Sequence, residues 1–204
     1  DRVTTNPQKV CGVCEECRSG HQNRCPHKMM LGVQGWTGSF GEYVVCPEEL
    51  VYRLPDHLSY EEGSMVEPLA VGVHAVGVSG LGAGSSALIL GGGTIGLCTM
   101  AAALEAGAAK TIVTDAVDFN LKVARELGAT ATANVRTQEV GQVVAEATDG
   151  KGVDFAFVTV GLSSVVNHAI EAVRKSGQVI LIALFHEDIA IKDSYAIVGG
   201  ERVI

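Results

Sequence analysis

Cys11, Cys14, Cys17 and Cys25 stand at C-x2-C-x2-C-x7-C spacing in a loop rich in Gly, Pro, Asn and charged residues. Short spacers let one chain segment close a tetrahedral shell of four thiolates around Zn2+, which holds the sulfurs deprotonated. A shell with four protein ligands has no vacant position. It can staple a lobe but cannot polarise a substrate oxygen, so the expected role is architectural. Two other uses compete. A disulfide framework needs an oxidising compartment, whereas the chain shows no signal-peptide pattern and has the composition of a cytosolic enzyme. An iron-sulfur cluster is nearer, because one ferredoxin run also begins C-x2-C-x2-C, but it continues x3-C-P. Here the last gap is seven residues, although Pro26 does follow Cys25. The spacing favours zinc over both. Cys46 and Cys98 lie outside the cluster and read as small buried hydrophobes.

A second constellation lies downstream. Gly91-Gly92-Gly93-Thr94-Ile95-Gly96 matches G-x-G-x-x-G, with the apolar run Ala87 to Leu90 before it and an Ala-rich segment to Ala106 after it. Gly91 permits a tight turn, Gly93 lets backbone approach a pyrophosphate, and Gly96 lets the helix pack on the strand. Thr94 and Ile95 open that helix, whose N-terminal dipole favours phosphate. Asp115 closes the next apolar run, Lys110 to Thr114, at the distance where a carboxylate accepts the hydroxyls of an adenosine ribose. It would repel a 2'-phosphate, and no Arg or Lys follows before Lys122, so NAD is expected rather than NADP.

These residues need a scaffold of alternating strand and helix. After Asp115 the pattern predicts a helix over 118–127, a strand over 130–134, a helix over 138–148, a strand over 154–160, a helix over 163–174, a strand over 178–184 and a last strand near Tyr195 to Val198. The expectation is an α/β fold, a doubly wound parallel sheet of six strands in the order 3-2-1-4-5-6 with ligands bound beyond the strand C-termini. Thr159, Val160, Gly161, Ala183 and Leu184 fall at such ends and are expected to wall the ribose and nicotinamide. Before residue 60 only short β pieces are expected, Ser39 to Val45 and Glu49 to Pro55 among them.

The 204 residues, 47% of them hydrophobic, suffice for one domain and part of another. A net charge of -8 argues against a nucleic-acid partner. From Pro68 to Leu104 there is no Asp, Glu, Lys or Arg, yet the glycines divide this stretch into short pieces and no membrane span is expected. The opening at Asp1 without Met suggests a fragment of something longer.

The cysteine loop, the phrase Val66-Glu67-Pro68-Leu69-Ala70-Val71-Gly72-Val73-His74-Ala75-Val76 and the glycine fingerprint together resemble the zinc-dependent medium-chain dehydrogenase/reductase family, nearest its polyol dehydrogenase branch. The resemblance implies a partial GroES-like catalytic domain over 1–62 with a structural zinc lobe at 11–25, and an NAD-binding Rossmann domain over 63–204. It implies NAD-linked oxidation of a polyol or secondary alcohol by a full-length parent that is cytoplasmic and homodimeric or homotetrameric. Sorbitol or L-iditol is the first substrate class, threonine or butanediol the alternative. In that family a second, catalytic zinc takes Cys and a His-Glu pair from a segment preceding the cysteine loop, before Asp1 here, and a final segment lies beyond Ile204. Glu67 is the position that matches a family contributor to that catalytic metal. It could equally sit at a helix start, favoured by the dipole. The chain alone could then be a zinc-stapled NAD-binding module without catalysis. His74, seven residues on, reads as a packed helix residue; His21, His27, His168 and His186 show no partner pattern, and Trp36 reads as packing.

Overall fold

Residues 1–33 and 35–204 are described by a computed structural model, in which the chain divides into two units, Asp1–Glu67 and Pro68–Ile204.

The first unit is built from two short antiparallel ribbons. β1 (Val3–Thr5) pairs with the distant β4 (Val51–Arg53), and β2 (Gln8–Lys9) with β3 (Met29–Met30), so β2 and β3 form the neck of the cysteine loop. Within that loop lie the one-turn helix α1 (Glu15–Arg18) and a 3-10 turn at Gln22–Arg24. The strand expected over Ser39 to Val45 is absent, and the segment runs as bends and coil. Phe40, Tyr43 and Val45 are strongly exposed, so this segment buries no continuous apolar face, and among the described residues no strand pairs with it. Its tether is Trp36, whose Nε1 donates to the Val45 carbonyl at 2.9 Å. The strand expected from Glu49 shortens to β4 because Glu48–Leu50 forms a 3-10 turn instead.

Helix α2 (Tyr60–Ser64) starts on a capping box. The Ser59 hydroxyl accepts from the Glu62 amide at 3.1 Å and the Glu62 carboxylate accepts from the Ser59 amide at 2.7 Å. The bond from the Ser59 amide, with the Ser59 hydroxyl beside the carboxylate, holds the Glu62 carboxyl below the usual carboxylate range. The Arg2 guanidinium lies 4.7 Å from the centre of the Tyr60 ring and donates to the carbonyls of Asp56 and Leu58, fastening the start of the chain to the α2 entry.

The second unit is a parallel sheet wrapped on both faces. Its elements in order are α3 (Val66–Ser79, beginning at the unit boundary), β5 (Ser86–Leu90), α4 (Thr94–Glu105), β6 (Lys110–Asp115), α5 (Asp118–Glu126), β7 (Ala131–Asn134), α6 (Val140–Thr148), β8 (Val153–Val158), α7 (Ser163–Ala172), β9 (Val173–Leu181) and α8 (Ser194–Val198). All pairings are parallel and the order is β7-β6-β5-β8-β9. Alternate residues of each strand serve opposite faces. Leu88 and Leu90 pack with Ile112, Val158, Val166 and Ile170, while Ala87 and Ile89 pack with Val113, Phe157, Met100 and Ala103. Gly72 sits where α3 crosses α4; a Cβ there would lie 2.7 Å from the Cys98 carbonyl carbon and the Thr99 amide.

Five strands therefore take the expected places 3-2-1-4-5, and the sixth differs. Tyr195 to Val198 is helical because Asp193 caps it, its carboxylate accepting from the Ala196 amide at 3.1 Å. The sixth place on the β9 edge is taken up by one parallel bridge, Gln178 with Val203. Among the described residues no helix is long and apolar enough to cross a membrane.

Candidate functional site

The four cysteine sulfurs converge, all within 4.8 Å of one another. The Cys11 to Cys25 separation is 3.6 Å, Cys14 to Cys25 is 3.8 Å and Cys11 to Cys17 is 4.0 Å. A tetrahedron with Zn-S bonds near 2.3 Å requires sulfurs about 3.8 Å apart, so the donors fit one thiophilic ion. A cluster of several irons places each thiolate on its own iron and spreads the sulfurs wider. Local electrostatics prepare the site unevenly. The Val13 and Cys14 amides pull the Cys11 thiol down to about 6, whereas burial pushes Cys17 up to about 12. A bound cation would offset the second effect by holding that sulfur as thiolate. The Arg24 to Glu16 ion pair, at 2.7 Å, ties the 3-10 turn to α1.

The glycine loop lies at the C-terminal edge of the sheet. Gly91 leaves β5 at φ +113°, a backbone conformation that glycine tolerates, and a Cβ there would meet Thr159 Oγ1 at 2.5 Å and Val160 Cγ2 at 2.7 Å. A Cβ on Gly96 would run into the Gly91 carbonyl, so this glycine sets the approach of α4 to the turn. Around Gly93 nothing lies within 4 Å of a would-be Cβ, and Gly93 and Thr94 are exposed at the start of α4. That open ground, faced by the first amides of a twelve-residue helix, suits an anion. Asp115, the last residue of β6, accepts from the Gly92 amide through Oδ2 and from the Val117 amide through Oδ1, each at 2.7 Å. The carboxylate thus shapes the loop, with lone pairs left over for ligand hydroxyls.

At the ends of β8 and β9 the remaining expected residues meet. A Cβ on Gly161 would collide with the Leu184 carbonyl, and Val160 and Ala183 follow their strands by two residues. The stretch after Leu184 is held by the buried Asn167 of α7. Its Nδ2 donates to the Ser163 and Ala190 carbonyls, its Oδ1 accepts from the Lys192 amide, all at 2.9 Å.

The zinc-binding dehydrogenase profile matches residues 94–204, and the alcohol dehydrogenase GroES-like domain profile matches residues 1–56. The chain belongs to the zinc-binding dehydrogenase family. It is 37% identical over 184 residues to the sorbitol dehydrogenase of Bacillus subtilis, covering 90% of this chain and 52% of that protein. Among solved structures it resembles the 2R,3R-butanediol dehydrogenase of B. subtilis, with a TM-score of 0.88 at 35% identity over 100% of this chain and 57% of that one. A zinc-binding dehydrogenase homologue from Sinorhizobium meliloti, solved with NADP, superposes with a TM-score of 0.91 at 32% identity over 98% of this chain and 60% of that one. The chain spans about half the length of the curated relatives it matches.

Within this dehydrogenase fold Glu67 stands exposed in the first turn of α3. Among the described residues the four cysteines form the single grouping of three or more potential metal-binding side chains, so Glu67 belongs to none. His21, His27, His74, His168 and His186 are exposed. Cys98 is buried, which pushes its thiol up, while Cys46 is half-buried with its sulfur 2.8 Å from Thr5 Oγ1. A cleft of about 520 Å³ between α6 and α7 contains none of the expected site residues. Three contributors escaped the sequence. The acceptor role of Asp115 toward Gly92, the anchoring by Asn167 and the contact of Thr159 with the loop all join residues more than 20 positions apart, for which no local pattern exists.

Proposed function

We propose that the full-length protein is a zinc-dependent, NAD-linked dehydrogenase that oxidises a polyol or secondary alcohol to the ketone. The observation that carries this reading is the pairing, in one chain of this family, of a single-ion thiolate cage with a glycine loop braced by Asp115. Cys11, Cys14, Cys17 and Cys25 would hold a structural zinc. Gly93, Thr94 and Ile95 would present backbone amides to the cofactor pyrophosphate, while Gly91 gives the tight turn and Gly96 the close approach of α4 to it. Asp115 would accept the adenosine ribose hydroxyls and disfavour a 2'-phosphate, which is the reason for NAD over NADP. Val160, Gly161, Ala183 and Leu184 would line the ribose and nicotinamide, excluding water from the reacting face. When bound, the dinucleotide supplies a hydride acceptor, and a catalytic zinc, toward which Glu67 would contribute, supplies Lewis acidity. The sorbitol and butanediol dehydrogenases among the relatives support a polyol or vicinal diol as substrate, with threonine-type substrates the alternative.

The test is steady-state turnover by the full-length protein with sorbitol, butanediol and threonine, each with NAD and NADP, beside zinc content by elemental analysis. Turnover with NAD on one of these alcohols is expected. Two zincs per chain without oxidation of any of them would refute the reading. The same reading expects a cytoplasmic homodimer or homotetramer, measurable by light scattering and fractionation.

A second reading applies to the 204-residue chain by itself, as a zinc-stapled dinucleotide-binding module. It is favoured by the four cysteines forming the one metal-suited grouping among the described residues. It expects one zinc per chain and NADH binding without turnover; turnover by the purified chain would overturn it.

A further inference from the structure

The glycine turn is gripped from both neighbouring strands. From the β6 side the Thr114 carbonyl accepts the Gly91 amide at 2.9 Å, and the Asp115 carboxylate accepts the Gly92 amide at 2.7 Å. From the β8 side comes Thr159, one residue beyond the strand. Its amide donates to the Leu90 carbonyl at 3.0 Å, and its hydroxyl lies within hydrogen-bond reach of two carbonyls, Leu90 at 2.9 Å and Gly91 at 3.1 Å. The same oxygen stands 2.5 Å from where a Gly91 Cβ would be and 3.2 Å from where a Gly96 Cβ would be, so it fills the space those glycines leave.

This arrangement fixes peptide orientation. A peptide plane has its carbonyl and the next amide pointing oppositely, so anchoring the Gly91 carbonyl inward on Thr159 determines where the Gly92 amide points. That amide is the one Asp115 receives. With the Gly91 to Gly92 peptide held at both its polar ends, Gly93 and the first amides of α4 keep a single aim at the open ground before the helix.

We infer that Thr159 is a positioning residue for the dinucleotide site, acting through the Gly91 carbonyl to preset the pyrophosphate cradle, rather than a wall of the nicotinamide pocket. The inference rests on the reading of the glycine loop as that site. Such presetting lowers the ordering cost that the ligand meets on binding.

The test uses the 204-residue chain with Thr159→Val, which keeps side-chain shape and removes the hydroxyl, and Thr159→Ser, which keeps the hydroxyl and removes the methyl. NADH affinity is measured by fluorescence titration, the 31P resonances of bound NADH report the cradle, and thermal unfolding reports stability. Losing about one hydrogen bond from the turn corresponds to roughly tenfold weaker NADH binding for Thr159→Val. Its bound 31P shifts should move, while Thr159→Ser stays within about twofold of the parent. If Thr159→Val unfolds, Thr159→Ala compared with Thr159→Ser poses the same question. Unchanged affinity without the hydroxyl, or equal weakening in Thr159→Ser, would overturn the inference. A parent chain that binds neither NADH nor NADPH would instead remove the dinucleotide reading itself.

Discussion

Asp115 offers the sharpest test of how the site is organised, because its carboxylate does two jobs. Both oxygens already accept backbone amides at 2.7 Å, from Gly92 and Val117. In Asp115→Asn the side chain keeps its shape but one oxygen becomes an NH2 donor, which must then face one of two amide donors. A hydrogen bond to a charged group contributes about 1.5 to 3 kcal/mol, so losing one should cost about 2 kcal/mol, or about thirtyfold in affinity if the loop must be ordered to bind. Asp115→Ser shortens the side chain so that it reaches neither amide as before. A purely electrostatic view of this position expects that variant to exchange NADH for NADPH, since it removes a negative charge facing the 2'-position. The structure predicts otherwise: NADH binding drops at least thirtyfold, and NADPH binding does not rise above the parent, because the cradle loosens for both. Fluorescence titration of parent and both variants decides the matter. NADPH affinity that increases in Asp115→Ser while NADH falls less than about threefold would refute the bracing role.

Three further outcomes follow from features elsewhere. Asp154 accepts from the Ser86 amide at 2.7 Å, the Ser86 hydroxyl at 2.6 Å and Arg174 Nε at 2.7 Å. Burial alone would raise its carboxyl, but Ser86 and Arg174 outweigh it and hold the group below the usual carboxylate range. A depressed carboxyl stabilises above its unfolded value and loses that contribution as pH falls through the folded one. Asp154→Asn should therefore be less stable by about 1 to 3 kcal/mol at pH 7 in urea titrations, with the gap closing only below about pH 4; a gap independent of pH would count against the network. Gly72→Ala should cost several kcal/mol, since a Cβ has backbone at 2.7 Å, whereas Gly77→Ala on the same helix meets nothing within 4 Å and should stabilise by about 0.5 to 1 kcal/mol. Equal effects would show that α3 and α4 approach less closely than the Gly72 contact requires. Replacing Cys14 by Ser should remove one metal equivalent and open residues 10–28 to protease while the glycine loop still binds NADH; retained metal would disprove the four-sulfur cage.

The alternation from Ala87 to Val158 was legible because β5, β6 and β8 are short, largely apolar runs ended by glycine or a polar residue, and because parallel strands buried on both faces need no subtler pattern. By contrast, β9 starts at Val173 and passes through the polar run Arg174 to Gln178, where the pattern predicts a helix to 174 and a strand only from Gln178. The glycine spacing and the cysteine spacing were legible for the same reason, since their partners lie close in sequence. Where partners are distant the text of the chain is silent. Ser39 to Val45 has strand composition but no mate in its unit, and Tyr195 to Val198 has β propensity that one Asp193 cap overrides. The α2 start could have been read: Ser59 followed by Glu62 is the capping-box spacing.

Thr159 also has a consequence for how the chain acquires its competence during folding. β5, α4 and β6 form one local crossover that carries the whole glycine loop, and its contacts close over short stretches of sequence. Thr159 arrives with β8, whose pairing with β5 joins Ala87 to Phe155 and closes a far longer loop at greater entropic cost. Ligand competence should thus mature after the first βαβ unit has formed, in step with the docking of β8. In refolding experiments, recovery of NADH fluorescence would then report the late sheet closure, while helical signal returns earlier.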